Sequence, residues 1–158
     1  FETSGRLTFI NAFGAEEPLA EKAYAVIHNI ADIREIHNVV KNYSERMQPP
    51  TKYRGVIYSL STIILSSGDA RSAFVFVRNQ VISLKKSGGI VLMTIHKKAH
   101  SNRLIASLEH VADGVIELRK EQYYRDWRSI FQIKKMIGRR FSTREFAFVV
   151  HEGKFVVE

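Results

Sequence analysis

The sequence predicts an α/β fold with a mostly parallel central sheet flanked by helices and antiparallel strands at the C-terminal edge. Three observations carry this prediction. The apolar run at residues 90–95 is continuous rather than alternating, which is typical of a strand buried on both faces in a parallel sheet, and residues 55–60 suit another buried strand. Between them, apolar residues recur at spacings of three and four, as in amphipathic helices. After residue 129 the strand-like runs are separated only by short turns, which indicates antiparallel hairpins.

The chain has 158 residues, no cysteine and a net charge of +8. This length suits one domain with a real hydrophobic core. Without cysteine, disulfides and thiolate metal sites are excluded, and we expect a cytoplasmic protein. No apolar run approaches the roughly 20 residues needed to span a bilayer, so we expect no membrane partner. The excess of positive charge favours polyanionic partners, among them nucleic acid.

The N-terminal part predicts short strands and one helix. Residues 6–12 are rich in β-prone side chains and predict a strand. Residues 24–27 suit a short extended segment, with a helix as the open alternative. Asp32 is a typical helix N-cap, and the apolar residues after it share one helical stripe that two prolines end. The stripe consists of Ile33, Ile36, Val40, Tyr43 and Met47.

The central part begins with a predicted strand at residues 55–60, which we expect to be buried. Residues 61–68 are predicted as its exit and a loop. Asp69 is expected to cap the next helix, and the glycines at 88–89 to stop it. This helix carries apolar residues around much of its circumference, so we expect other elements to cover it heavily.

A second strand, buried on both faces, is predicted at residues 90–95. A basic loop follows at residues 96–100, after which Ser101 or Asn102 caps a short helix. A turn at residues 113–114 then leads into a further strand. Strand-like runs without an intervening helix follow at residues 129–136, 145–150 and 155–157.

Five motifs occur in a fixed order along these elements. They are Ser59-Leu60-Ser61, Arg78-Asn79-Gln80, residues 93–96 (Met-Thr-Ile-His), residues 109–118 (Glu-His-Val-Ala-Asp-Gly-Val-Ile-Glu-Leu) and residues 133–136 (Ile-Lys-Lys-Met) with Gly138. From about residue 5 to its end the chain thereby resembles the C-terminal two-thirds of a KaiC-like domain, in the RecA superfamily of P-loop ATPases. The resemblance implies a RecA-like fold, assembly with itself or a related ATPase subunit, and ATP held between subunits.

The residues that such domains use for ATP depart from the family pattern. No Gly-x-x-x-x-Gly-Lys-Ser/Thr run, whose backbone N–H groups wrap phosphates, occurs in the 158 residues. Tyr58 stands where the family has an Asp that organises Mg²⁺, and tyrosine carries no negative charge at neutral pH. Lys135 matches a Lys that reaches a neighbour's γ-phosphate, but Ile137 stands where an Arg is expected, with Arg139 or Arg140 as substitutes in another register. The interpreted remnants of a nucleotide site are Tyr58, Ser59, Thr94 and Lys135.

These departures predict a degenerate KaiC-like module, one domain over residues 1–158 without the P-loop unit, that does not hydrolyse ATP. It would act through self-assembly or partner binding, with no cofactor in this chain. One alternative is a fragment of an active ATPase whose P-loop lies upstream of Phe1, with ATP and Mg²⁺ as cofactors. Another is a nucleic-acid-binding module that uses basic loops. The residues expected to contact phosphates or a neighbouring subunit are Lys97, Lys98, Arg103, Lys134, Arg139 and Arg140.

Three further patterns allow a purely structural explanation. His96 and His100 flank two lysines whose charge opposes a bound cation, so we expect a basic loop and no metal site. The aromatic residues at 123–127 lie among arginines and lysines. We expect them to pack at a sheet edge, with base stacking as the alternative. Thr94 either senses nucleotide or packs in the core.

No Ser-His-Asp order or carboxylate pair favours a hydrolase or a glycosidase.

Overall fold

The computed structural model describes Thr8 and residues 10–12, 23–46 and 54–157. Its contacts divide the chain into two compact units, Phe1–Leu108 (unit 1) and Glu109–Glu158 (unit 2). Unit 1 holds the parallel strand pairs, whereas unit 2 holds a four-stranded antiparallel sheet. The predicted α/β class, with parallel strands first and antiparallel strands last, is therefore confirmed.

Unit 1 alternates short strands with helices. In chain order the described elements up to residue 93 are β1 (Ile10–Asn11), β2 (Ala25–Val26), α1 (Ile33–Arg46), β3 (Arg54–Ile57), α2 (Leu60–Ser67), α3 (Ala70–Ser87) and β4 (Ile90–Met93). β1 pairs with β2 and β3 pairs with β4, both in parallel. A 3₁₀ turn (Lys97–Ala99) and α4 (Asn102–Val111) follow. No helix within these ranges is long and apolar enough to cross a membrane.

Two N-terminal predictions can be compared with these elements. The extended form of residues 24–27 is confirmed by β2. The strand predicted at residues 6–12 is present only as β1, and residues 6, 7 and 9 lie outside the described residues. Both strands are only two residues long, so they contribute one short parallel pair rather than a broad sheet.

Helix α1 begins after Asp32, as predicted. The carboxylate of Asp32 accepts the backbone N–H of Arg34 at 2.9 Å, which satisfies one of the donors left free at a helix start. This hydrogen bond also lowers the pKa of Asp32. Ile36, on the predicted stripe, is only 3% exposed, so the stripe faces the core of unit 1. Met47 and the prolines predicted to end the helix lie outside the described residues.

Helix α2 (Leu60–Ser67) covers most of the segment 61–68, for which a strand exit and a loop were predicted, so that prediction is wrong. The Oγ of Ser59 accepts the backbone N–H of Thr62 at 3.3 Å and caps the helix. Gly68, with φ of 63°, ends it in the left-handed conformation that favours glycine. The residues that the helix buries are Leu60, Ser61, Ile63 and Ile64. Their spacing is the helical signal that the loop interpretation overlooked.

Helix α3 begins and ends where the sequence predicts. Asp69 accepts the backbone N–H of Arg71 at 2.9 Å, and Gly88, with φ of 71°, follows the last turn. The expected heavy cover is wrong, because Val75 and Ile82 are each 42% exposed. The buried face is a single stripe with helical spacing. It consists of Ala73, Phe76, Val77 and Gln80.

Strand β3 was predicted to be buried and β4 to be buried on both faces, and both predictions are wrong within the part of the chain that the structure describes. Val56 and Leu92 are partners in the ladder and are 66% and 61% exposed. Ile90 is 51% exposed. The intervening residues are half-buried, so the pair has one covered and one open face. A continuous apolar run shows that both faces can be buried, not that both are.

Unit 2 is the predicted antiparallel meander. Its strands are β5 (Gly114–Tyr123), β6 (Asp126–Met136), β7 (Glu145–His151) and β8 (Lys154–Val157), paired in that order. One face is apolar: the rings of Phe131 and Phe146 stack at 5.1 Å, and those of Phe148 and Phe155 at 4.5 Å. The opposite face carries ion pairs, one between Arg119 of β5 and Glu145 of β7 and one between Lys134 of β6 and Glu117 of β5.

Candidate functional site

The candidate site lies at the carboxyl ends of β3 and β4, where α/β proteins usually bind ligands. The two ends are joined by backbone hydrogen bonds. The N–H of Thr94 donates to the carbonyl of Ile57 at 3.1 Å, and the N–H of Leu60 donates to the carbonyl of Thr94 at 2.9 Å. Tyr58 and Ser59 therefore lie beside Thr94, as the sequence interpretation requires. The peptide bond between Tyr58 and Ser59 is cis.

The side chains of Tyr58 and Thr94 continue the exposed series of their strands. Tyr58 is 76% exposed, two residues beyond Val56. Thr94 is likewise exposed, two residues beyond Leu92, so it does not pack in a core. The end of the strand pair and its open apolar face thus form one surface, which we call the open face. It comprises Arg54, Val56, Tyr58, Ile90, Leu92 and Thr94.

Ser61 belongs to the first of the five motifs, but it was not among the residues interpreted as remnants of a nucleotide site. It is 4% exposed. Its Oγ accepts the backbone N–H of His96 at 2.8 Å and lies 2.8 Å from the Nε2 of His100. The hydroxyl thereby links the first turn of α2 to the segment after β4. Because it is buried and both of these groups contact it, it holds the loop in place rather than offering a nucleophile.

The side chains brought together here do not fit a Mg²⁺ site. Mg²⁺ takes hard oxygen ligands and usually at least one carboxylate. Tyr58, Ser59 and Thr94 supply only a phenol and two hydroxyls. Among the described residues, no group of three or more His, Asp or Glu side chains is placed to hold a metal ion.

The basic residues singled out in unit 1 are exposed. Lys97 and Lys98 lie in the 3₁₀ turn after β4, and Arg103 lies in the first turn of α4. Ser101 caps that helix, because its Oγ accepts the N–H of Leu104 at 3.4 Å. The loop at residues 96–100 thus presents its lysine side chains outward, while Ser61 holds its backbone.

The lysines singled out in unit 2 already have partners. The Nζ of Lys134 lies 3.1 Å from a carboxylate oxygen of Glu109 and 3.5 Å from one of Glu117. The hydrogen bond with Glu109 raises the pKa of Lys134. Lys135 donates from its Nζ to the carbonyls of Glu109 and His110, at 3.1 and 2.8 Å. It therefore satisfies carbonyls at the C-terminal end of α4.

The arginines singled out in unit 2 lie in the loop between β6 and β7. Arg139 and Arg140 are both exposed there, and Ile137 is 57% exposed. The six residues proposed as a basic patch are thus divided, with Lys97, Lys98 and Arg103 in unit 1. Within unit 2, the lysine of the patch is paired and the arginines point into solvent.

The aromatic residues at 123–127 were expected to pack at a sheet edge. Tyr123 lies in β5, an edge strand of the four-stranded sheet, and contacts Tyr124 and Arg128, but Tyr124 and Trp127 are largely exposed, so edge packing does not extend to them. They lie at the turn between β5 and β6, because both strands extend further than predicted. Tyr123 is 48%, Tyr124 85% and Trp127 67% exposed. The guanidinium of Arg128 lies 3.9 Å from the ring centre of Tyr123.

The sequence that forms this fold matches a known protein family. A family model described as "ATPase: KaiC" matches residues 1–158. The chain belongs to the KaiC ATPase family. The RecA-like fold that the motifs implied is thereby confirmed, together with the α/β architecture of the two units. No curated protein sequence matches the chain.

One solved structure extends the comparison within the KaiC family. It is the crystal structure of a KaiC-like protein from the hyperthermophilic archaeon Pyrococcus horikoshii OT3. The match has a TM-score of 0.59 and 25% sequence identity, and it covers 87% of this chain. The chain spans 60% of the length of that protein. The similarity therefore concerns part of the archaeal protein.

Proposed function

We propose that this member of the KaiC family is a degenerate module that does not hydrolyse ATP and acts through self-assembly. The observation that carries the proposal is Tyr58. It follows β3 directly, where the family pattern has a metal-organising Asp, and it brings no negative charge to the strand end. The neighbouring Ser59 and Thr94 add no carboxylate. A site with only neutral oxygens binds Mg²⁺ weakly, because charge dominates the affinity for this cation.

The environment of Lys135 supports the same proposal. In the family pattern this Lys reaches the γ-phosphate of a neighbouring subunit. Here its ammonium donates to two carbonyls at the end of α4. Reaching a phosphate would require it to leave both acceptors, which would then need water. Ile137, in the place of the expected Arg, supplies no second cation.

The open face supports assembly. Val56, Ile90 and Leu92 are adjacent in the ladder and each is more than half exposed. Contiguous apolar surface of this kind is costly in water and commonly marks an interaction site. A second copy of the chain is the simplest occupant, because the family assembles with its own or related subunits. Two copies of one apolar face can pair with each other.

The first test measures nucleotide binding by titration calorimetry with ATP in the presence and absence of Mg²⁺, together with phosphate release. We expect no Mg²⁺-dependent heat and no phosphate release above a protein-free control. Tight binding that depends on Mg²⁺ would overturn the proposal and favour an active ATPase.

The second test measures assembly by sedimentation velocity over a range of protein concentrations. Leu92→Lys places a charge in the open face and is expected to abolish concentration-dependent association. Leu65→Lys is the matched control, because Leu65 is 63% exposed on α2 and Leu92 is 61% exposed on β4. Association lost equally in both variants, or absent from the unmodified chain, would argue against self-assembly through the open face.

A further inference from the structure

The β5–β6 hairpin ends in an arm with unusual exposed chemistry. β6 pairs with β7 only over Ser129 to Gln132, so the strands continue beyond the four-stranded sheet as a two-stranded arm. We call residues 120–129 the hairpin tip. An isolated two-stranded hairpin is marginally stable. The contacts of Tyr123 with Tyr124 and Arg128 contribute to its packing, but they leave Tyr124 and Trp127 largely exposed. The exposure of these two rings needs another explanation.

The rings are placed to meet a ligand. Tyr124 is 85% exposed and has a φ of 55°, at a turn position where Gly, Asn or Asp is the usual choice. Since the turn itself favours one of those smaller residues, the presence of a tyrosine at this position is better explained by the chemistry of its ring. Tyr123 supports it edge-on, with ring centres 4.8 Å apart. The guanidinium of Arg128 lies 3.9 Å from the ring centre of Tyr123 and covers one face of that ring. Tyr123 is thereby held in place beside Tyr124, while the ring of Tyr124 stays exposed.

Trp127 provides a second exposed ring on the same arm. It is 67% exposed and pairs with Gln122 across the ladder, so both side chains lie on one face. Lys120 lies on that face as well, two residues before Gln122. Each of the two exposed rings thus has a cation nearby. Arg125 follows Tyr124 in the turn, and Lys120 lies on the same face of the hairpin as Trp127.

We propose that the hairpin tip binds single-stranded nucleic acid, with bases stacked on Tyr124 and Trp127 and phosphates contacted by Arg125 and Lys120. Exposed aromatic rings interleaved with cations are the arrangement that holds unpaired bases and their backbone. A duplex keeps its bases stacked internally and offers these rings nothing. The net charge of +8 favours approach to any polyanion.

An anionic membrane is the rival ligand for aromatic and basic side chains. The acidic residues at the hairpin tip favour nucleic acid. The Nε of Arg119 lies 2.7 Å from a carboxylate oxygen of Glu121. Asp126 lies next to the turn, opposite Tyr123. A carboxylate there repels lipid headgroups and backbone phosphates alike, but it gains nothing from lipid tails, whereas it can accept a hydrogen bond from a cytosine amino group.

The only tryptophan of the chain lies in the proposed site, which makes the test direct. An oligothymidylate of about 12 nucleotides, within the size range of such sites, is titrated into the full chain while tryptophan emission is recorded. We expect saturable quenching at about 50 mM salt that weakens strongly by about 200 mM. A duplex of the same length should quench little.

Variants separate stacking from charge. Tyr124→Ala is expected to weaken binding about tenfold, whereas Tyr124→Phe keeps the ring and should bind like the unmodified chain. Arg125→Ala should weaken binding and reduce its salt dependence. Lys86→Ala is the matched control, because it removes an exposed cation from α3 and should have no effect.

Three results would overturn the proposal. The first is no quenching by oligothymidylate or by single-stranded RNA at low salt. The second is quenching that Tyr124→Ala leaves unchanged but that Arg139→Glu abolishes. That result would place the site in the loop at the other end of β6. Because β6 is 11 residues long, this loop lies roughly 35 Å from the hairpin tip. The third is a change of emission with phosphatidylglycerol vesicles and none with oligonucleotide, which would assign the tip to a membrane surface.

Discussion

Replacement of Ser61 by alanine is expected to destabilise unit 1, because this hydroxyl ties α2 to the segment after β4. Ser61 is 4% exposed, and its Oγ lies 2.8 Å from both the N of His96 and the Nε2 of His100. Alanine removes both hydrogen bonds, each worth about 0.5–1.5 kcal/mol, and leaves a partly buried N–H without its acceptor. We therefore expect the free energy of unfolding of unit 1 to fall by about 2 kcal/mol.

The assay must report on unit 1, and Trp127 lies in unit 2. Urea unfolding followed by far-UV circular dichroism measures the stability, and hydrogen exchange of the His96 amide measures the local effect. The matched control is Ser66→Ala, which removes an exposed hydroxyl from the same helix and should change stability by less than about 0.5 kcal/mol. The reasoning is refuted if the two variants are equally stable and the His96 amide exchanges at the same rate in both.

Two further predictions follow from charged side chains. The hydrogen bond from Ser72 is the main cause that lowers the pKa of Asp69 below 3.8. The ionised carboxylate therefore stabilises the folded chain at pH values above the unfolded pKa, and this stabilisation is lost as pH falls through the folded pKa. The difference in Tm between the unmodified chain and Asp69→Asn should therefore shrink from about pH 6 to about pH 2, and a constant difference would contradict this. Lys134→Met should cost unit 2 about 1 kcal/mol by removing two partly exposed ion pairs, seen as faster hydrogen exchange in β5. Lys154→Met is its control, and equal exchange in both variants would show that the ion pairs contribute nothing.

Local signals predicted the boundaries of elements well. Asp32 and Asp69 cap the helices that follow them, because a short carboxylate side chain can reach the first free N–H groups. Gly88 ends α3 for an equally local reason, its positive φ. The antiparallel meander of unit 2 follows from turn residues between short strand-like runs. All of these depend on residues close together in the sequence.

Predictions that depended on distant residues fared less well. The burial of β3 and β4 depends on what covers them, and the apolar run alone does not contain that information. The hydrogen bond between Ser61 and His100 joins residues 39 positions apart, and no periodicity in the sequence predicts it. Lys135 reaches His110 from 25 positions away. The densest group of cations in the sequence therefore looked like an open patch, although two of its lysines have partners.

The resemblance to a family located a site that physical patterns alone would not have found. Tyr58 is one exposed tyrosine among several, and only its place after β3 gives it meaning. The hairpin tip shows the reverse case. The aromatic and basic residues were visible in the sequence, but their exposure could be seen only once β5 and β6 were known to extend to the turn.

The position of Tyr58 joins the proposed loss of metal chemistry to the proposed assembly. Tyr58 lies two residues beyond Val56, so about 7 Å of strand separates them, and a partner that covers Val56 and Leu92 also reaches the phenol. An aspartate without its metal would oppose such an interface, because burying an unpaired carboxylate costs several kcal/mol. A phenol can be buried at far lower cost when its hydroxyl stays at the rim. On the proposed function, a tyrosine in place of the family's Asp therefore also allows the open face to be covered. Tyr58→Asp should weaken association in the same sedimentation assay as Leu92→Lys.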